Sequence, residues 1–428
     1  MLKKFKLALV FVLALVMCSA GIPAAFAADQ GAIIGSEAHP AQAAVTKILE
    51  MPVGTTTPET EFKFLVNKVS VDNETKQEIV DTMPDLENLS IPFTAANTGM
   101  SSGDVKTVIL QTSDIFSGVD WKHAGVYVYE LTEDATTFID KNVFPGPDSE
   151  KMIFSGAKYT LNVYVKASTT TPGAFYVYAV GALVTTTDNN GQTQGTKVDP
   201  TPGTDGKYSK MTFTNTYLKV NGGTDPLTDG TLSVSKKVAG EFADDSWFFD
   251  FSITLYPNSL VPSDIVPEYK RGYVVENGVV IDPVNNADAG LIDEDGAGKY
   301  IKISIGGPTA FQLKSNQKLV FIDTPVGITY DVQETAVLEY TTSANVITSG
   351  NAVNAPAPSD PNADFVILNQ HVGDGTNSAD FTNTRNEVSF TGISMANLPF
   401  VGMIALAVAA LVAFAVAKLR KRTSGARA

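Results

Sequence analysis

Two tandem immunoglobulin-like β-sandwiches, an all-β chain, are what the sequence predicts, on three observations. Apolar residues alternate with polar ones in short runs rich in Val, Tyr, Phe and Thr, separated by Gly, Pro, Asn or Asp. Helices are few: from Ala44 to Tyr217 helical patterning is credible only from Asn73 to Met83, where Pro84 closes it. The tetrapeptide Phe-Thr-Asn-Thr occurs twice, at Phe213–Thr216 and Phe381–Thr384, and closes a segment of the same internal order each time.

That order has four members. A lysine follows an alternating apolar start, in Val45-Thr46-Lys47 and Val234-Ser235-Lys236. A Phe-x-Phe strand comes next, Phe62 to Phe64 and Phe249 to Phe251. Then comes Tyr-x-[apolar]-x-Glu, Tyr129 to Glu133 and Tyr330 to Glu334, and last Asn215 or Asn383 within Phe-Thr-Asn-Thr. The strands expected in the first segment are Phe62 to Val66, Val105 to Leu110, Val126 to Leu131, Tyr159 to Val165 and Phe175 to Val184. Thr185 to Lys207 reads as a long surface loop, and Asn277-Gly278 as a type I′ turn in a hairpin from Tyr273 to Ile281.

The two ends are of another kind. Residues 1–27 are a signal peptide, with Lys3, Lys4 and Lys6 ahead of an apolar Leu7 to Met17 and an Ala25-Phe26-Ala27 cleavage site. Met17 before Cys18 is too large for a lipoprotein site. Leu398 to Ala417 is uncharged and long enough to span a bilayer as a helix, and the basic tail 418–428 marks the cytoplasmic side. Between them lie a flexible start at 28–43, the sandwiches at 44–218 and 231–385, a Gly- and Asp-rich linker at 219–230, and a juxtamembrane stretch at 386–397.

Export without disulfides follows, because Cys18 is the only cysteine and lies in the signal peptide. Eight of the 31 basic residues and none of the 46 acidic ones lie in the signal peptide or beyond Thr391. The remainder is strongly acidic, which excludes nucleic acid and anionic membrane as partners.

Strand parity makes the repeated polar residues unusual. Lys236 shares a face with Val234 and Val238, Asn215 with Phe213, and Asn383 with Phe381, so all point where the core belongs. Burial lowers a lysine pKa and raises that of a glutamate. A neutral amine beside a protonated carboxyl and a primary amide is reactive. The amine attacks the amide carbon, the Glu polarises the carbonyl and shuttles protons, and ammonia leaves. The expected products are isopeptide cross-links Lys47–Asn215 and Lys236–Asn383, with Glu133 and Glu334 as the catalytic carboxyls. Glu130 rivals Glu133, but Glu133 matches Glu334 in its spacing from a tyrosine.

These ordered motifs resemble the isopeptide-forming domains of Gram-positive pilin backbone subunits, the streptococcal T-antigen/FctA-like family, over roughly residues 44 to 392. The resemblance implies CnaB-like sandwiches, cross-links that form without an enzyme, and sortase-catalysed joining to other pilin subunits and to peptidoglycan. A sortase cuts a Thr-Gly bond ahead of the span, which here is Thr391-Gly392, with Ser389-Phe390 where the family carries proline. Leu398-Pro399-Phe400-Val401-Gly402 is rejected as the signal, since too few apolar residues would follow it. The family's acceptor lysine lies before the last strand of the first domain, where Lys207 is favoured over Lys197 and Lys210. Lys166 reads as an ordinary strand residue.

Other chemistry is set aside. Ser233 and Lys236 imitate a Ser-x-x-Lys motif, but in a strand they face opposite ways. Asp293-Glu294-Asp295-Gly296 lacks the later ligands of a calcium loop, and His39, His123 and His371 have no metal-ligand spacing. No cofactor, metal or enzyme activity is expected. Two functions are carried forward: a cell-surface pilus subunit, and a monomeric wall-anchored adhesin that binds a host or cell-surface ligand.

Overall fold

The computed structural model describes residues 32–188, 192–204, 207–360, 362–386 and 398–424. The signal peptide and Thr391-Gly392 lie outside them. Among the described residues the strands form four sheets, packed as two sandwiches in chain order.

In the first sandwich one sheet runs, in spatial order, Ala32–Ile34, Phe175–Thr186, Lys158–Ala167, Gly125–Glu133, Thr60–Val71 and Ser90–Phe93. The facing sheet runs Met100–Ser102, Val105–Gln111, Thr46–Pro52, Thr212–Lys219 and Glu150–Ile153. One core joins them, with Leu49, Met51 and Phe213 from one side and Phe62, Tyr129 and Leu161 from the other. In the second sandwich the smaller sheet is Thr309–Leu313, Phe249–Tyr256, Thr329–Glu334 and Phe365–His371. The larger sheet has Leu232–Ala239 at its centre, between Gln317–Phe321 and Ser378–Thr384.

All the strands expected in the first segment are present; buried residues alternate from Tyr127 to Glu133 and from Tyr159 to Val165, whereas Val105–Gln111 buries Val108 alone and Phe175–Thr186 buries Ala179 to Ala182 without a break. The Asn277-Gly278 turn is also present, with φ of 52° and 78° joining Tyr269–Glu276 to Val279–Val280. Four local expectations change, the first at the start expected to be flexible, where Ala32–Ile34 pairs with Phe175–Thr186 and Ala41 and Ala43 are buried. The helix from Asn73 shrinks to Gln77–Val80, because Asp72 and Asn73 take positive φ and turn the chain at the end of its strand. The stretch after Thr185 is stitched down rather than loose: Lys197–Val198 pairs with Ala182 and Leu183, and Gln192 reaches the Lys210 carbonyl. The linker is held too, with Val220 buried and bridged to Pro325, and the Val326 N–H bonded to the Lys219 carbonyl.

At the other end a helix covers Leu398–Ser424, with side chains from Met403 to Val416 exposed. Among the described residues no helix is long and apolar enough to cross a membrane. The anchor is therefore an expectation from the uncharged sequence.

The aromatic centre of the second core sets its stability. Phe251 is buried between Phe311 and Phe381, with ring centroids at 5.4 and 5.2 Å. Phe251→Ala is expected to cost about 3–5 kcal/mol, read as a lower urea midpoint with an unchanged slope.

Candidate functional site

Each sandwich places its lysine and its asparagine on neighbouring parallel strands, the first and the last of the shared fold. Lys47 lies opposite Phe213, and Asn215 two residues on, opposite Leu49. Lys236 lies opposite Phe381, and Asn383 opposite Val238. The glutamate comes from the facing sheet, Glu133 opposite Phe64 and Glu334 opposite Phe251. The registers of the two sites are thus the same, pair for pair.

This register also places the phenylalanines of the repeated motif. The first Phe of Phe-x-Phe lies beside the lysine, whose Nζ is 4.7 Å from the Phe62 ring centroid and 3.9 Å from that of Phe249. The second packs on the phenylalanine of Phe-Thr-Asn-Thr, with Phe64–Phe213 at 5.0 Å and Phe251–Phe381 at 5.2 Å. Alternation then turns the asparagine, two residues on, to the same face as that phenylalanine.

All six polar residues are buried, and the lysine and glutamate side chains of both pairs have no exposed surface. Lys47 Nζ lies 2.7 Å from Glu133 Oε1, and Asn215 Nδ2 donates to the same oxygen at 2.8 Å. In the second site Lys236 Nζ lies 2.6 Å from Glu334 Oε1, and Asn383 Nδ2 donates to it at 2.5 Å. Burial brings each lysine down to about 8, against the opposing pull of its glutamate. Burial likewise raises both glutamates, and the facing ammonium only partly offsets it. Both partners are pushed toward the neutral forms.

The sites differ at the amide oxygen. Asn215 Oδ1 accepts the Ser155 N–H at 2.7 Å, whereas Asn383 Oδ1 has no hydrogen-bond partner among the described residues. In neither site does the glutamate touch the carbonyl: it sits on the amide nitrogen, where an ionised carboxylate finds a donor. The Phe-x-Phe repeat was visible in the sequence, but its place beside the ammonium was not. Ser155 acts through its backbone and leaves no residue-type signal.

Of the remaining expected residues, Glu130 lies on the outward face of the strand that turns Glu133 inward. Lys197, Lys207 and Lys210 are exposed, and Lys166 lies over the Tyr178 ring at 3.2 Å. Ser233 and Lys236 face opposite ways. Asp293 and Asp295 pair with Lys302 and Arg271. Among the described residues no group of His, Cys, Asp and Glu is placed to hold a metal ion.

A family model described as a domain of unknown function (DUF7601) matches residues 230–385. A protein named Pilin from Streptococcus pyogenes serotype M1 is 24% identical over 353 residues, 82% of this chain and 83% of its own. The chain resembles a Gram-positive pilin. Among solved structures, the major pilin from Streptococcus pyogenes is 21% identical, with 82% of this chain and all of that one covered and a TM-score of 0.32. The major pilin T3.2 of the same species is 18% identical, with 83% and all covered and a TM-score of 0.29.

The arrangement can move a proton from amine to amide nitrogen through one carboxyl oxygen, because that oxygen touches both. It also predicts a pH-dependent penalty. In an Asn215→Ala background, Glu133→Ala strands Lys47 without its partner and is expected to cost about 3–5 kcal/mol at neutral pH. Unfolded lysine keeps its proton up to 10.5, while the buried one releases it near 8 or below, so stability recovers as pH rises across that window. Urea midpoints compared at neutral and alkaline pH check this, and a pH-independent difference would contradict it.

Proposed function

We propose that this chain is a structural pilin subunit of a sortase-assembled, wall-anchored Gram-positive pilus, hardened by two autocatalytic Lys–Asn isopeptide bonds. The observation that carries the reading is the duplicated, buried Lys–Glu–Asn set in one register. A single buried ion pair has many uses. Two copies, each joining the first strand to the last and each touching a primary amide, favour a reaction.

In that reaction the amine nitrogen of Lys47 or Lys236 attacks Cγ of Asn215 or Asn383. The new C–N bond forms, the bond from Cγ to Nδ2 breaks, and ammonia departs. Glu133 or Glu334 takes the proton lost by the lysine and passes it to the departing nitrogen. Nothing is oxidised or reduced, so no cofactor enters. Each bond closes a loop of about 150 residues, which on the chain-entropy account of cross-links contributes nominally ~4–5 kcal/mol.

Export, the acidic cysteine-free ectodomain and the similarity to a protein named Pilin support the assembly. The partners are a sortase, further copies of the chain, and peptidoglycan at termination. Thr391 is the acyl donor, and Lys207, exposed ahead of the last strand of the first sandwich, is the acceptor. The helix from Leu398 and the basic tail hold the precursor at the membrane until the cut.

Two measurements test this function. The recombinant ectodomain is expected to be lighter than its sequence mass by two ammonia molecules, with linked peptides Lys47–Asn215 and Lys236–Asn383. Glu133→Ala and Glu334→Ala each restore one, and an unshifted parent mass would remove the chemistry altogether. In the Gram-positive host, Thr391→Ala is expected to leave both bonds intact, abolish covalent multimers on a denaturing gel and retain the protein in the membrane fraction. Multimers that survive the substitution would place the sorting signal elsewhere.

A further inference from the structure

The two sites share register, burial and partners, yet among the described residues only the first has a donor on the amide oxygen. Nucleophilic attack on a carboxamide moves the carbonyl electron pair onto that oxygen, and a fixed N–H aimed at it lowers the barrier. Ser155 N lies 2.7 Å from Asn215 Oδ1, a hydrogen bond of good length. The amide orientation is fixed from both sides. A flip would set Oδ1 against the Glu133 carboxylate and the NH₂ group against the Ser155 N–H.

What holds Ser155 there is Asp188. The Ser155 hydroxyl donates to Asp188 Oδ2, which also accepts the Thr214 N–H at 3.1 Å, from the residue next to Asn215. The Ala157 N–H donates back to Ser155 Oγ at 3.2 Å and closes the turn. One carboxylate oxygen thereby ties the loop carrying the donor to the strand carrying the acceptor. Asp188 is itself no help to the nucleophile, since its charge favours the ammonium form of Lys47. Its contacts are those of a positioning group.

We propose that the Ser155 backbone N–H is an oxyanion donor for closure of the Lys47–Asn215 bond, positioned by Asp188, and that the Lys236–Asn383 bond closes without an equivalent. The inference rests on the isopeptide reading above. Attack of Lys47 Nζ forms the C–N bond and places negative charge on Asn215 Oδ1, where the N–H receives it. Collapse re-forms the carbonyl and expels ammonia, protonated through Glu133. At Asn383 the developing charge meets no fixed donor among the described residues, so the first bond closes ahead of the second.

The two bonds act as clocks for each other within one molecule. The full chain, made in a cell-free reaction and sampled into acid over time, is digested, and the two linked peptides are quantified by mass spectrometry. The Lys47–Asn215 peptide is expected about tenfold or more ahead, a part of the ~10²–10³ that one oxyanion donor contributes. Asp188→Ala should slow that bond by a similar factor and leave the Lys236–Asn383 bond on its parent time course. Asp188→Asn keeps an acceptor oxygen for both Ser155 and Thr214 and should restore the rate. Ser155→Ala, which keeps the N–H and loses only the hydroxyl tie, should slow the bond less than Asp188→Ala. Parent bonds that close in step, or an Asp188→Asn chain as slow as Asp188→Ala, would overturn the proposal. A parent in which neither peptide ever links would instead overturn the isopeptide reading itself.

Discussion

Everything distinctive in this chain depends on a lysine ammonium held between two sheets against the carboxylate of a buried glutamate. Moving such a charge out of water costs several kcal/mol, and a partner repays it only when the geometry is close. The fold supplies that geometry at 2.7 and 2.6 Å in its two copies. An apolar pair of similar volume would fill the same space at no electrostatic cost. Retention of a buried ion pair and a primary amide in both copies is thus poorly explained by stability of the unlinked fold. It is well explained by a reaction that removes the charges: once the amide bond forms, the lysine is neutral and its desolvation cost disappears.

The same logic accounts for the surroundings of each lysine. Burial among phenylalanines moves both lysines down to about 8 and both glutamates up. A proton can then leave the amine without a strong base. The faces of Phe62 and Phe249 still offer the ammonium some stabilisation before reaction, through the ring quadrupole. The aromatic wall therefore stabilises the ammonium and, on the proposed reading, would also favour the reactive neutral amine.

Much of this was legible in the sequence, because the informative residues lie in strands and strands have a period of two. Parity placed Lys236, Asn215 and Asn383 on the core face, and the structure buries all three. The match to Glu334 separated Glu133 from Glu130, and the alternation of Gly125–Glu133 turns the former inward and the latter outward. What parity does not give is which strands neighbour each other. The parallel pairing of first and last strands, with its two-residue offset between lysine and asparagine, is tertiary and has no local signature. Ser155 and Asp188 escaped for a related reason: one acts through its backbone, and the other lies in a stretch whose polar composition reads only as loop. The short helix was overestimated because side-chain pattern carries no warning that Asp72 and Asn73 adopt positive φ.

The placement of the proposed bonds also bears on how a pulled subunit would carry load. In the second sandwich tension enters along Leu232–Ala239 and leaves along Ser378–Thr384. A Lys236–Asn383 bond lies directly between them, so the force crosses one covalent link and the intervening strands carry none. The first sandwich is different if Lys207 is the point of attachment. From Lys207 the chain reaches Asn215 and the linker through the single strand Thr212–Lys219, and Lys47 lies off that path. The bond from Lys47 to Asn215 then acts as an anchor, preventing the loaded strand from peeling off its neighbour. On the proposed reading, a chain exported without cysteines would gain both functions from one three-residue set, used once in series and once beside the load.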